Sequence, residues 1–149
     1  MASFLHPTKM KRVLFGYWLM IPLVFGLYIS ILAAVKNVSV SILFTSIPSL
    51  TLTSIVIFLL FFQLFGLFMV GNTSDCRHSL LGFYLKFSMV QQLFSLNIPG
   101  LILCLFVYRS LVDAKEKVNV SKQVQWAVYM LIGFIGSITI LLVWIRLSL

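Results

Sequence analysis

Charged residues are scarce in this sequence, and acidic residues are almost missing. Only 9% of the 149 residues are charged, and Asp and Glu together number three. Soluble domains carry about 25% charged residues, so the composition is not that of an ordinary soluble domain. The three acids, Asp75, Asp113 and Glu116, all fall between apolar stretches. The sequence therefore gives no support for a membrane enzyme with paired carboxylates or for an ion-coupled carrier with an intramembrane acid.

Cysteine and histidine are also rare, with two of each. If the chain between Cys76 and Cys104 is mostly helical, the two residues lie about 40 Å apart, far beyond disulfide reach. Neither cysteine belongs to a CxxC motif or to a cluster with histidine. We therefore predict no disulfide and no metal site. Since no nucleotide-binding or catalytic motif stands out either, we predict no cofactor and assign no catalytic residue.

Long apolar runs dominate the sequence instead. Hydrophobic residues make up 61% of the chain, and the mean hydropathy is +1.10. Residues 51–70 contain no charge and a single amide, Gln63. In a helix such a run rises about 30 Å, the thickness of the hydrocarbon core of a bilayer. We therefore expect an all-α membrane protein with a single integral domain, a four-helix transmembrane bundle whose spans cover about 13–35, 49–70, 80–108 and 124–147.

The loop between the first two runs has an alternating pattern. Between residues 38 and 44, apolar side chains mostly alternate with serines, and a period of two favours a strand over a helix. We predict an extended segment at 36–50. Its first part, residues 36–41, would pair with the similar stretch 117–122 as a short two-stranded ladder outside the membrane. The alternative is one long tilted helix from about residue 40 to residue 70, with Pro48 near its first turns.

The third run is the most polar of the four. Five of its polar side chains fall within about one third of the helix circumference: Tyr84, Ser88, Gln91, Gln92 and Ser95. Polar groups face lipid only at high cost, so we expect this stripe, together with Gln63, to face protein or a wet cavity. We expect Gln92 to bond to another helix. Pro99 and Gly100 then interrupt the run and favour a kink or a break.

Small residues recur every fourth position on the first and last runs. Gly26, Ser30 and Ala34 form one ridge, and Gly133 and Ser137, with Gly136 beside them, form the other. Such ridges let a second helix approach closely. The alternatives are that the bundle uses both ridges internally, or that these common residues recur by chance.

The net charge of +8 comes from basic residues at the ends of the apolar runs. This placement is typical of topology signals and of contact with lipid headgroups, so we expect a bilayer and not nucleic acid as the partner. Four spans place both termini on one side of the membrane. Because the basic residues on the two sides are nearly balanced, the basic leader before the first run decides, and it predicts cytoplasmic termini. The kind of membrane and the glycosylation of Asn37, Asn72 and Asn119 stay open.

Two functional hypotheses follow. The first is an accessory, assembly or protective subunit that packs through its helices against a larger integral membrane protein or against a second copy. It rests on the two small-residue ridges and on the lack of intramembrane acids. The alternative is a small transporter, channel or ligand-binding subunit that uses the polar stripe of the third run.

Overall fold

The protein is mostly helical, with one short pair of strands. The computed structural model describes residues 6–115 and 119–148, excluding the side chain of Lys115, and every structural statement here concerns those residues. The helices are α1 (Pro7–Lys36), α2 (Val40–Ser46), α3 (Pro48–Val70), α4 (Leu80–Phe94), α5 (Ile98–Ser110) and α6 (Lys122–Ser148). The strands are β1 (Cys76–His78) and β2 (Val112–Lys115).

Three helices, α1, α3 and α6, are long and apolar enough to cross a membrane. They have 30, 23 and 27 residues, whereas a bilayer requires about 20. This confirms the prediction of a mainly helical membrane protein. The predicted four-helix transmembrane bundle is not confirmed, because within the described residues no fourth helix of that length is present.

The predicted extended segment at 36–50 is mostly helical, so that prediction is wrong. Val40–Ser46 forms α2, and the residues on either side of it are extended: Ser39 at φ −70° and ψ 152°, and Ile47 at φ −126° and ψ 91°. A residue that precedes proline avoids the helical region, so Pro48 causes this break and then opens α3. The break also excludes one continuous helix from residue 40 to residue 70. The hydroxyl of Thr51 donates to the carbonyl of Phe44 at 2.7 Å and ties the two helices together.

The stretch predicted as a third span is a helical hairpin. α4 has 15 residues and α5 has 13, so each rises only about 20 Å, too little to cross a bilayer. α4 ends in a Schellman motif: Leu96 is left-handed at φ 59°, its N–H donates to the Leu93 carbonyl, and the Asn97 N–H donates to the Gln92 carbonyl at 2.9 Å. The side chain of Asn97 then caps α5 by accepting from the Gly100 N–H at 3.3 Å.

A two-stranded ladder closes the open end of this hairpin. β1, before α4, pairs in parallel with β2, after α5, with Cys76 opposite Val112. A ladder therefore exists, but not where it was predicted. Residues 40–41 of the predicted pair are helical, and residues 116–118 lie outside the described part of the chain. Since the strands are neighbours, the start of α4 and the end of α5 lie at the same end of the molecule.

That end, which we call the basic end, also holds the start of α1 and the end of α3. The ammonium group of Lys11 contacts the Asp75 carboxylate at 2.8 Å, just after α3. The opposite end, which we call the far end, holds α2, the start of α3 and the last turn of α6, where Ile145 lines a cavity with Phe44 and Pro48. Pro7 and Ser148 therefore lie at opposite ends of the fold.

The apolar core is divided along α3, which packs against α1, α2, α4 and α6. The largest cluster lies toward the basic end and joins α1, α3 and the hairpin through residues such as Leu14, Trp18, Leu67, Leu81 and Val107. Two smaller clusters join α1 to α2 and α3, and α3 to α6. The hairpin is thus part of the core and not an appendage.

We expect Leu96→Gly to stabilise the fold. Leu96 is 73% exposed, so little packing is lost, and glycine relieves a left-handed conformation that costs an L-residue about 1–2 kcal/mol. The free energy of unfolding in mixed micelles should rise by about 1 kcal/mol. The matched control is Leu93→Gly, on the exposed helical face of α4, which should lower it by about 1 kcal/mol. Equal destabilisation by both variants would contradict the Schellman turn.

A buried glutamine cluster at the helical hairpin

A chain of hydrogen bonds connects α3 to α4. Gln92 Nε2 donates to the side-chain oxygen of Gln63, Oε1. Gln63 Nε2 in turn donates to Gln91 Oε1 at 2.6 Å, and Gln91 Nε2 donates to Ser95 Oγ at 2.9 Å. We call these four residues the glutamine cluster. Its three amides are at most 2% exposed. The structure therefore brings the one amide of α3 together with the polar stripe of the third run.

Tyr84 also connects α4 to α3, at a position nearer to the basic end than the glutamine cluster. Its hydroxyl donates to the main-chain carbonyl of Gln63 at 2.6 Å, and the residue is fully buried. The ring can lie this close to α3 because residue 66 is glycine: a Cβ atom there would overlap the phenol. Gly66 and Tyr84 together set the spacing that lets the amides of the cluster meet.

The tip of the hairpin is held by α1. Tyr17 donates its hydroxyl hydrogen to Asn97 Oδ1 at 2.6 Å. Because Tyr17 lies ten residues after Pro7, the tip is roughly 15 Å along α1, about one third of the length of that helix. α5 approaches α4 closely here, since a Cβ atom on Gly100 would run into the side-chain amide of Gln92. The hairpin therefore contacts α1 about one third of the way along that helix and then returns.

Three buried polar atoms near the cluster have no partner within the described residues: Ser88 Oγ, Gln92 Oε1 and Trp18 Nε1. Each could still bond to a water molecule or to a small polar ligand. Two cavities, of about 390 and 300 Å³, lie elsewhere, at the basic end and at the far end. Side-chain amides and aliphatic hydroxyls do not ionise near neutral pH, so the cluster suits helix attachment or polar binding better than acid–base chemistry.

The small-residue ridges lie mostly on the outside. Gly26, Ser30 and Ala34 are all exposed on α1, and a Cβ atom on Gly26 would meet nothing within 4 Å. Gly133 and Ser137 are likewise exposed on α6. Only Gly136 is partly covered, with Phe87 of α4 at 3.8 Å from its Cβ position. Within the described residues, the ridge on α1 is therefore not used to build the fold.

Sequence reasoning missed the role of Asn97 and its contact with Tyr17. The available signal was the order Asn97-Ile98-Pro99-Gly100, which places a capping side chain one residue before a helix whose second position is proline. That order marks a new helix start and not only a kink.

Charged and aromatic side chains surround the ladder at the basic end. Asp113 lies 3.1 Å from His78 Nε2 and 3.8 Å from an Arg77 nitrogen. The Tyr108 ring lies under both Arg77 and the ammonium group of Lys86, with centroid distances of 5.8 and 5.6 Å. Lys86, on the second turn of α4, thus extends along the hairpin toward its open end. Among the residues described, no group of three acids, histidines or cysteines could hold a metal ion.

Comparison of the chain with protein-family models, with curated proteins and with solved structures gives no match.

Removing Gln63 should cost more than removing the whole amide network. Gln63→Leu leaves a donor on Gln92 and an acceptor on Gln91 buried without partners, and each such group costs about 1–3 kcal/mol. The triple variant Gln63→Leu/Gln91→Leu/Gln92→Leu leaves no amide to satisfy and keeps similar volume. We expect the free energy of unfolding in mixed micelles to be higher for the triple variant than for Gln63→Leu alone. A triple variant less stable than the single one would show that the cluster contributes additively and would contradict this account.

Proposed function

We propose that α1, α3 and α6 cross the bilayer while the hairpin enters from the basic end, turns inside the membrane and returns. The support is the length of the helices together with the β1–β2 pairing. Non-helical backbone is tolerated at membrane depth only where protein covers it. The turn at the hairpin tip meets this condition in part, because Tyr17 and Asn97 bond to each other there.

This layout changes the distribution of charge. Of the eleven Lys and Arg residues, only Lys36 and Arg146 belong to the far end. The other nine lie in segments that begin or end at the basic end, including the loop from Arg109 to Lys122. The positive-inside rule then favours a cytoplasmic basic end, with the N-terminus in the cytoplasm and the C-terminus outside. The near balance expected for four spans disappears because the hairpin returns its loop to the N-terminal side.

The proposed function is that of an accessory, assembly or protective subunit that docks through α1 against another integral membrane protein. The observation that carries it is the ridge of Gly26, Ser30 and Ala34, which the fold leaves uncovered. The hydroxyl of Ser30 is already satisfied by the Gly26 carbonyl at 2.9 Å. A partner helix could therefore approach closely without leaving a polar group unpaired.

The surroundings of the ridge fit a docking face. Large apolar side chains flank it, and Leu27, Ile31 and Val35 are 64%, 63% and 74% exposed. Between residues 26 and 35 Ile29 alone is buried, at 7% exposure, whereas Leu14 and Trp18 near the start of α1 are fully buried. Exposure to lipid alone explains the large side chains but not the small ones, which give lipid little surface to contact.

The hairpin itself favours a second candidate, a small transporter, channel or ligand-binding subunit. Broken helices that end at mid-membrane commonly line transport sites, and Ser88 Oγ and Gln92 Oε1 are buried without partners. The two candidates differ in what Gln92→Leu does. In a docking subunit the variant folds and keeps its partner, whereas in a binding or transport subunit it folds but loses its activity.

We expect Gly26→Leu to remove the partner without harming the fold. The added side chain enters open space and favours the helix, yet it blocks close approach of a second helix. Co-purification from native membranes should recover a stoichiometric partner with the wild type and at least tenfold less with the variant.

The control for that experiment is Gly16→Leu. Residue 16 is on the same helix, and a Cβ atom there also meets nothing within 4 Å, but it lies outside the ridge. It should keep the partner. Two differently tagged copies that co-purify would identify the partner as a second copy of this chain. Equal recovery with both variants, or no stoichiometric partner at all, would contradict docking through the ridge.

A further inference from the structure

A cavity of about 390 Å³ lies at the basic end, between the first turns of α1 and the turn that follows α3. Its rim is polar, with Thr8, Asn72 and Ser74 contributing hydroxyl and amide groups. Its other wall is apolar, formed by Phe15, Leu67 and Phe68. The volume is within the usual range for a small-molecule site, about 300–1,000 Å³.

Two cations and one acid line the cavity, and the acid is already neutralised. Lys11 is 2.8 Å from Asp75 and also bonds to the Gly71 carbonyl. Arg12, in contrast, has no carboxylate within ion-pair distance in residues 6–115 and 119–148, and it is exposed on the cavity wall. The cavity therefore carries one uncompensated positive charge, on a guanidinium group that can bind a phosphate oxygen pair in a bidentate manner.

The position of the cavity indicates that its ligand is a lipid. Arg12 immediately precedes the apolar run that begins at Val13, which is the depth of the headgroups if α1 spans the bilayer. Phe68 is 66% exposed and directs an apolar surface from the same cavity toward the acyl chains. A ligand that meets Arg12 and the polar rim at one end and Phe15 and Phe68 at the other needs an anionic head and an apolar tail.

We propose that this cavity binds the phosphodiester headgroup of an anionic phospholipid, with Arg12 on the phosphate and an acyl chain along Phe15 and Phe68. A basic pocket between helices at the cytoplasmic face is a recurrent site for anionic lipid. The inference rests on membrane residence but not on docking through α1, because Gly26 is fourteen residues, roughly 20 Å, further along that helix.

The experiment measures lipid retained by the detergent-solubilised protein, by native mass spectrometry during titration with phosphatidylglycerol. Phosphatidylcholine with the same acyl chains tests the need for net negative charge, and glycerophosphoglycerol, which lacks acyl chains, tests the need for a lipid. We expect one tightly held phosphatidylglycerol and weaker binding of both other ligands.

The variant is Arg12→Gln, and the matched control is Lys9→Gln, which removes the same charge from an exposed residue of α1 outside the cavity wall. We expect about fivefold weaker phosphatidylglycerol binding for Arg12→Gln, the effect of one basic residue near the membrane surface, and less than twofold for Lys9→Gln. Gly26→Leu should leave lipid binding unchanged, so a failure of docking and a failure of this site remain distinguishable.

A second measurement uses the unmodified protein, so that the result does not depend on how a variant folds. Raising the salt from about 0.1 M to about 1 M shortens the Debye length from about 10 Å to about 3 Å and should weaken phosphatidylglycerol retention more than phosphatidylcholine retention. Equal retention of the two lipids, equal loss in the two variants, or equal binding of glycerophosphoglycerol and the intact lipid would each overturn the proposal.

Discussion

The fold depends on one constraint: Gln63 is the only amide in an otherwise apolar helix, and it must find partners inside the protein. An unpaired amide in hydrocarbon costs several kcal/mol, whereas a satisfied interhelical bond gains only about 0.6–2 kcal/mol. The hairpin supplies Gln91 and Gln92 as partners on α4, and Tyr84 adds a bond to the α3 main chain. The avoided cost, more than the gain, keeps α4 against α3.

The hairpin follows from the same requirement at its tip. Reversing the chain frees backbone groups, and the Schellman bonds around Leu96 together with the Asn97 cap satisfy them. Tyr17 then connects the tip to α1. With the tip fixed, the two outer ends of the hairpin meet, and β1 and β2 pair beside them. In the layout we propose, this return is what concentrates the basic residues on one side of the membrane.

Hydropathy predicts the three long helices, but it does not show that the chain reverses its direction within residues 80–108. The runs 13–35, 49–70 and 124–147, which correspond to α1, α3 and α6, are long and together contain one charged residue, Arg146. A period of 3.6 placed Tyr84, Ser88, Gln91 and Gln92 on one face of a helix. Hydropathy is averaged over consecutive residues, including those on both sides of a turn. The two short helices at 80–108 were therefore predicted as one span. The left-handed residue is Leu96 and not glycine, which removed the usual signal for a helix stop. The loop at 36–50 was misjudged because β-branched residues next to a membrane fit a helix as well as a strand.

Sidedness labelling of single cysteines tests the central claim, that the chain between β1 and β2 enters and leaves the same face. The residues are Cys76 in a Cys104→Ser background, and Ala114→Cys or Ser148→Cys in a background that lacks both native cysteines. With a membrane-impermeant thiol reagent on intact cells, the account predicts that positions 76 and 114 react only after permeabilisation, whereas position 148 reacts from outside. Reaction of positions 76 and 114 from opposite faces would mean that residues 80–108 cross the membrane, and it would contradict the account.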